Sequence, residues 1–215
     1  MFAAGSAAVL RQSDFSQNVI GERTASLCTS QNCGIPLQQS LKLTRLIQKE
    51  SVELIRTYKT SQGPMSERFC KTSRSDVPDP SISGLEPSER LASVSAVLQS
   101  FLPHFQRVSE QQADLQSPSS RLLTELSNVR NRSTSLAAVI NCLYQSLFPN
   151  LPAPEPAGGP TLLPPAQNIF QQKVYGCVVL RSFKELLLNV ARELRTLKGR
   201  VCKKRTVTAK ESFRG

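Results

Sequence analysis

Tryptophan is absent, histidine occurs once, at position 104, and aromatics make up only 6% of the chain. A lone imidazole with no evident Ser, Cys or Asp partner does not make a catalytic set, so a surface or lightly buried role is expected for His104. Close cysteine pairs are almost absent too: Cys28 and Cys33 stand near each other and the other four are scattered. A zinc site needs two such pairs or a His/Cys cluster, which excludes a structural metal. No glycine-rich phosphate loop is present; the Gly-Pro and Gly-Gly pairs fall in linkers. The long apolar run needed to span a membrane is missing. So is the strict apolar/polar alternation of a half-buried strand. These absences point to a non-enzyme with no metal, no cofactor and no membrane insertion.

What is present is helical periodicity. The first stretch runs from about Leu37 to Gln62, with Leu37, Leu41, Ile47, Leu54 and Tyr58 apolar among Lys, Arg, Gln and Glu. A second carries Leu91, Val94, Leu98, Phe101, Phe105 and Val108. A third carries Leu122, Leu126, Val129, Leu136, Ile140, Leu143 and Leu147. The fourth begins near Asn168 and holds Val174, Cys177, Leu180, Leu187, Leu194 and Leu197. Three-four spacing puts these residues on one face of each helix, which only burial against other helices satisfies. The fold class is all-α.

Punctuation sets the topology. Gly63-Pro64 stops the first helix, since proline lacks a donor and disfavours helical geometry in its predecessor. A Ser-, Pro- and Asp-rich segment follows to about Leu85, and Ser88 with Glu89 opens the second helix. Pro103 falls inside that helix and should kink it rather than end it. Ser117-Pro118-Ser119 makes a short break, and seven prolines between Pro149 and Gln167 make a second long connection. A helix of about 26 residues is ~39 Å long, and about 20 extended residues reach ~66 Å. Both long connections can return the length of the bundle, and the short break cannot. The long-short-long order therefore predicts a long-chain four-helix bundle with up-up-down-down topology. That arrangement belongs mainly to secreted helical cytokines.

The net charge of +11 is unevenly placed: residues 198–215 hold seven Lys/Arg against one Glu. This tail lacks an apolar stripe and reads as disordered. It could contact a glycosaminoglycan, and Lys204-Arg205 is a dibasic cleavage point. With no binding motif and few aromatics, a nucleic-acid partner is not expected. Six cysteines permit fifteen full pairings, and their even number suggests disulfides; buried free thiols in a cytosolic bundle are the alternative. Residues 1–27 lack a basic start, and Arg11 and Asp14 cut the apolar run, so this segment reads as an atypical or incomplete leader. Residues 28–197 form the expected domain and 198–215 a removable tail. Asn131-Arg132-Ser133 is a glycosylation sequon, and Asn131 lies about 200° round the helix from Val129, towards solvent.

Phe170, Lys173, Gly176 and Cys177 resemble, at matching spacing, the start of the last helix in the leukaemia inhibitory factor and oncostatin M family, within the interleukin-6 group. Leu180, Lys184, Tyr58 and Cys70 agree as well, and the resemblance covers about Cys28 to Leu197. It implies a disulfide between Cys70 and Cys177 and another between Cys33 and Cys142. Gln145 stands where a third bridge would need a cysteine, leaving Cys28 free or paired with Cys202. The resemblance further implies that Phe170 is an apolar anchor and Lys173 a charged contact for a leukaemia-inhibitory-factor-type receptor. Glycoprotein 130 would meet a second surface on the first and third helices, where Gln39 can be carried over. The alternatives are a cytosolic helical adaptor and a basic nucleic-acid-binding bundle.

Overall fold

The computed structural model describes residues 34–154 and 167–199. They form helices α1 (Gly34–Gln62), α2 (Ser66–Phe69), α3 (Pro87–Leu115), α4 (Arg121–Leu147) and α5 (Ile169–Leu197), with no strand among them. α1 starts three residues before Leu37, because Pro36 falls in the first turn, where its missing N–H is no loss. Gly63, at φ +90°, takes the left-handed conformation that ends α1. Glu86 and Glu89 form a reciprocal cap at the start of α3. The Ser120 hydroxyl accepts from the Leu122 amide, 3.3 Å away, at the start of α4. α3 continues through Pro103.

α1 packs against α4 and α5, and α3 packs against the same two; α1 and α3 form one diagonal, bridged by side chains where Gln62 meets Gln112, and α4 and α5 form the other. Directions follow from bonds between helices. The Tyr58 hydroxyl donates to the Lys173 carbonyl (3.1 Å), and Gln48 Nε2 donates to the Leu187 carbonyl (2.9 Å), so α1 and α5 are antiparallel. Arg90 Nε to Glu193 Oε2 (2.7 Å) and His104 to Tyr175 (2.6 Å) make α3 antiparallel to α5 as well. α1 and α3 therefore run the same way and α4 and α5 the other, the up-up-down-down bundle. Tyr58, Tyr175, Phe101, Phe105 and Phe183 are fully buried at its centre, with Phe183 edge-on to Phe105 at 4.7 Å.

The first long connection lies along α5. Cys70 is bridged to Cys177, the Arg181 guanidinium donates to the Cys70 and Thr72 carbonyls (2.8 Å each), and Asn189 donates to the Pro80 carbonyl (3.0 Å). Val77 and Ile82 pack against the core. Within it, α2 departs from the irregular segment expected: four residues carry no periodicity, and burial of Phe69 beside the disulfide holds the turn.

His104 is buried more deeply than the surface or lightly buried role expected of it, being only 2% exposed. It sits three residues beyond Phe101 on the core stripe and shares a hydrogen bond with the Tyr175 hydroxyl, whose ring lies 5.7 Å from the Arg74 guanidinium. Burial pushes the imidazole below its ordinary value of 6.5, with Asp76 opposing. The unfolded chain then binds a proton that the folded one resists, so stability falls as pH drops below about 6.5 towards the lowered folded value. Asp76, held down by Arg74, loses its contribution only as pH falls below the ordinary 3.8. With no other histidine in the chain, a falling melting temperature between pH 7.5 and 5.5 is expected, and His104→Gln should flatten that slope. An equal slope in the variant would remove the assignment.

Candidate receptor-binding site

The last helix opens on a reciprocal cap. The Gln171 amide donates to Asn168 Oδ1 (2.9 Å), and the Asn168 amide donates to Gln171 Oε1 (3.0 Å). This fixes the entry angle of the turn bearing Ile169 and Phe170, which are 58% and 61% exposed. Phe170 meets Phe69 of α2 edge-to-face, ring centroids 5.8 Å apart. Phe69 is itself buried and adjoins Cys70, so the bridge to Cys177 backs the exposed ring with a fixed one. The Cα atoms of the bridge lie 5.3 Å apart, within the ordinary range. Lys173, half-buried one turn below Phe170, has no carboxylate partner among the described residues. Its ammonium remains available for a partner's acidic group.

Beneath this turn lies a buried polar relay. Gln62 Nε2 donates to Gln112 Oε1 (2.8 Å), Gln112 Nε2 lies 3.4 Å from the Tyr58 hydroxyl, and that hydroxyl reaches the Lys173 carbonyl. Tyr58 can approach only because residue 176 is glycine: a Cβ there would stand 2.2 Å from its hydroxyl oxygen and 2.8 Å from Cζ. Desolvation raises the Tyr58 hydroxyl well above its ordinary pKa, so it stays a donor across the working range. Sequence alone marks neither Phe69 nor Gln112, and Gln62 only as the end of α1. An aromatic beside a bridging cysteine was the available signal for the first; the glutamines look like ordinary surface residues until α1 and α3 are brought together.

Gln39 is exposed near the start of α1, while Phe170 and Lys173 sit where α1 ends. The two groups are therefore towards opposite ends of the bundle, about 30 Å apart along the helix axis. Between them, α1 and α4 enclose a shallow groove lined by Leu46, Lys49, Glu53, Glu125, Asn128 and Val129. Asn131 is exposed on α4; its neighbours turn aside, Arg130 to Gln106 of α3 and Arg132 to Glu50 of α1 (3.0 Å). Cys142 is buried and disulfide-bonded. Cys28, Cys33, Cys202, Lys204 and Arg205 lie outside the described residues. Among the described residues no His/Cys/Asp/Glu group could hold a metal, and no helix is long and apolar enough to cross a membrane.

Comparison with known proteins agrees with this geometry. Mouse Cardiotrophin-2 is 26% identical over 174 residues, covering 77% of this chain and 84% of that protein. Human Cardiotrophin-1 is 27% identical over 159 residues, covering 70% and 79%. The family model described as the LIF / OSM family matches residues 36–194, from the first turn of α1 to the last of α5. The chain belongs to the LIF / OSM family of interleukin-6-type helical cytokines, and is a signalling ligand, not an enzyme.

Proposed function

We propose that this cytokine is secreted and signals by bringing glycoprotein 130 together with a leukaemia-inhibitory-factor-type receptor. The observation that carries the reading is the exposure of Phe170, 61%, on a turn held by a cap, a disulfide and a buried relay. An apolar ring left in water costs about 2 kcal/mol relative to burial, and burial against a partner recovers it. A cation one turn away supplies direction, a composition frequent at interface hot spots. The second surface is the α1/α4 face with Gln39, where Leu46 is 42% exposed. Placing the two surfaces at opposite ends lets one ligand hold two receptor chains without competition between them.

The same reading pairs Cys33 with Cys142, gives Asn131 a glycan, and makes Lys204-Arg205 the point where the basic tail is removed. Phe170→Ala combined with Lys173→Ala should weaken binding to the leukaemia-inhibitory-factor-type receptor about 100-fold, the scale of two hot-spot truncations. Binding to glycoprotein 130 should stay within twofold. Surface plasmon resonance against each receptor ectodomain reads both, and unchanged binding to the first would remove the assignment.

A further inference from the structure

Positive charge is not spread evenly over the bundle. α1 and α5 each carry five Lys/Arg against two Glu, whereas α3 and α4 together carry five Arg against four carboxylates. The acids on the basic pair are drawn aside as well. Glu50 pairs with Arg132 of α4, Glu193 with Arg90 of α3, and Glu53 with Arg56 along its own helix. What remains on the outward face shared by α1 and α5 includes Lys42, Arg45, Lys184, Arg192 and Arg195, all exposed, with Lys49 beside them at the edge of the α1/α4 groove. None of the five has a carboxylate partner among the described residues.

Their placement follows from helix geometry. At 100° per residue, Lys184, Arg192 and Arg195 fall within about 60° of one line along α5, spanning ~16 Å. The Gln48 to Leu187 bond sets the register, placing Arg45 and Lys42 of the antiparallel α1 level with about residues 190–193. Neighbouring axes lie about 8–10 Å apart, so the cations form two rows flanking one seam. Leu188, 51% exposed, lies between them, and Glu185 is the one carboxylate on the stripe among the described residues.

We infer that the α1/α5 face binds a sulfated glycosaminoglycan laid along this seam, independently of the basic tail and of the receptor assignment. A linear polyanion of closely spaced sulfates can meet both rows at once and gains from counterion release at each contact. No exposed aromatic lies on the face to stack a base, which disfavours single-stranded nucleic acid as the occupant. Phe170 is at the end of α5 remote from Arg192 and Arg195, so a ligand held on a glycan keeps its receptor anchor clear.

The test uses the full chain on immobilised heparin, with binding followed against salt. Charge reversal at Lys42, Arg45, Lys184, Arg192 and Arg195 to Glu should weaken binding at least ~10-fold and flatten its salt dependence. A variant with Lys203→Gln, Lys204→Gln and Arg205→Gln should stay within about threefold of the parent. Lys184→Gln with Arg195→Gln, a milder change on exposed positions, should fall between, with unchanged near-UV circular dichroism for all three. Three results overturn the inference: a face variant within twofold of the parent, a loss produced by the tail variant alone, or displacement by a single-stranded oligonucleotide of equal charge as effectively as by heparin.

Discussion

Replacing Cys70 and Cys177 by alanine should lower the stability of the domain by about 4–5 kcal/mol, the chain-entropy value for a closed loop of this length. The two cysteines are 107 residues apart, so the bridge removes much of the freedom that the unfolded chain would regain. Both are buried, at 4% and 2% exposure, and alanine leaves no unsatisfied hydroxyl there as serine would. The measurement is chemical denaturation of parent and variant under non-reducing conditions. The effect also reaches the receptor surface. Without the bridge, Phe69 is held by the Arg181 hydrogen bonds, the Lys59–Glu67 ion pair and its own burial, and Phe170 loses a fixed backing. Receptor affinity should therefore fall along with stability. Fully reduced thiols at both positions in the purified protein would contradict the bridge itself.

Gly176→Ala should destabilise by about 2 kcal/mol, against the ~1 kcal/mol gain that Gly to Ala gives in an unobstructed helix. The sign rests on Tyr58. Its ring is 0% exposed, and the new Cβ would meet the hydroxyl oxygen at 2.2 Å, Cζ at 2.8 Å and Cε2 at 3.1 Å. A flexible side chain could step aside; a buried ring bonded to the Lys173 carbonyl cannot without breaking that bond, a further ~1 kcal/mol. Tyr58→Phe removes the closest contact but leaves the one to Cζ, so the double variant Tyr58→Phe with Gly176→Ala should recover part of the loss. Thermal unfolding of the three variants separates the terms. A single variant more stable than the parent would mean that the approach of Tyr58 is not fixed.

Helices were legible in the sequence because the three-four stripe is a direct consequence of burying one face, and connection lengths bounded how those helices could run. Leu91 to Val108 and Leu122 to Leu147 lie in the core as their spacing requires. Phe170 and Lys173 were legible only through resemblance: no periodicity distinguishes an exposed phenylalanine at a helix start from one packed under a loop. Phe69 and α2 escaped for a different reason, since a single helical turn carries no repeat and its stability comes from contacts more than a hundred residues away. The depth of His104 was missed because a solitary imidazole suggests a surface or lightly buried place, whereas its position between Phe101 and Phe105 puts it on the buried stripe. The close approach of Gly176 to Tyr58 is a property of two helices together, and neither helix states it alone.

The pairing of helices also sets an order of assembly. Of the four long helices, only α3 and α4 are neighbours both in space and along the chain, joined by five residues; the long helices that cover α1 are α4 and α5. As the chain emerges, α1 is therefore made first and covered last. Its stripe from Leu37 to Tyr58 must wait for residues beyond 121 before half of it is buried, and beyond 169 for the remainder. Contacts of such high sequence separation form slowly, and an apolar helix left waiting is open to aggregation. The arrangement that sends two helices up before two come down thus leaves α1 uncovered until α5 has been made, with the α3–α4 hairpin as the local unit on which α1 and α5 later close.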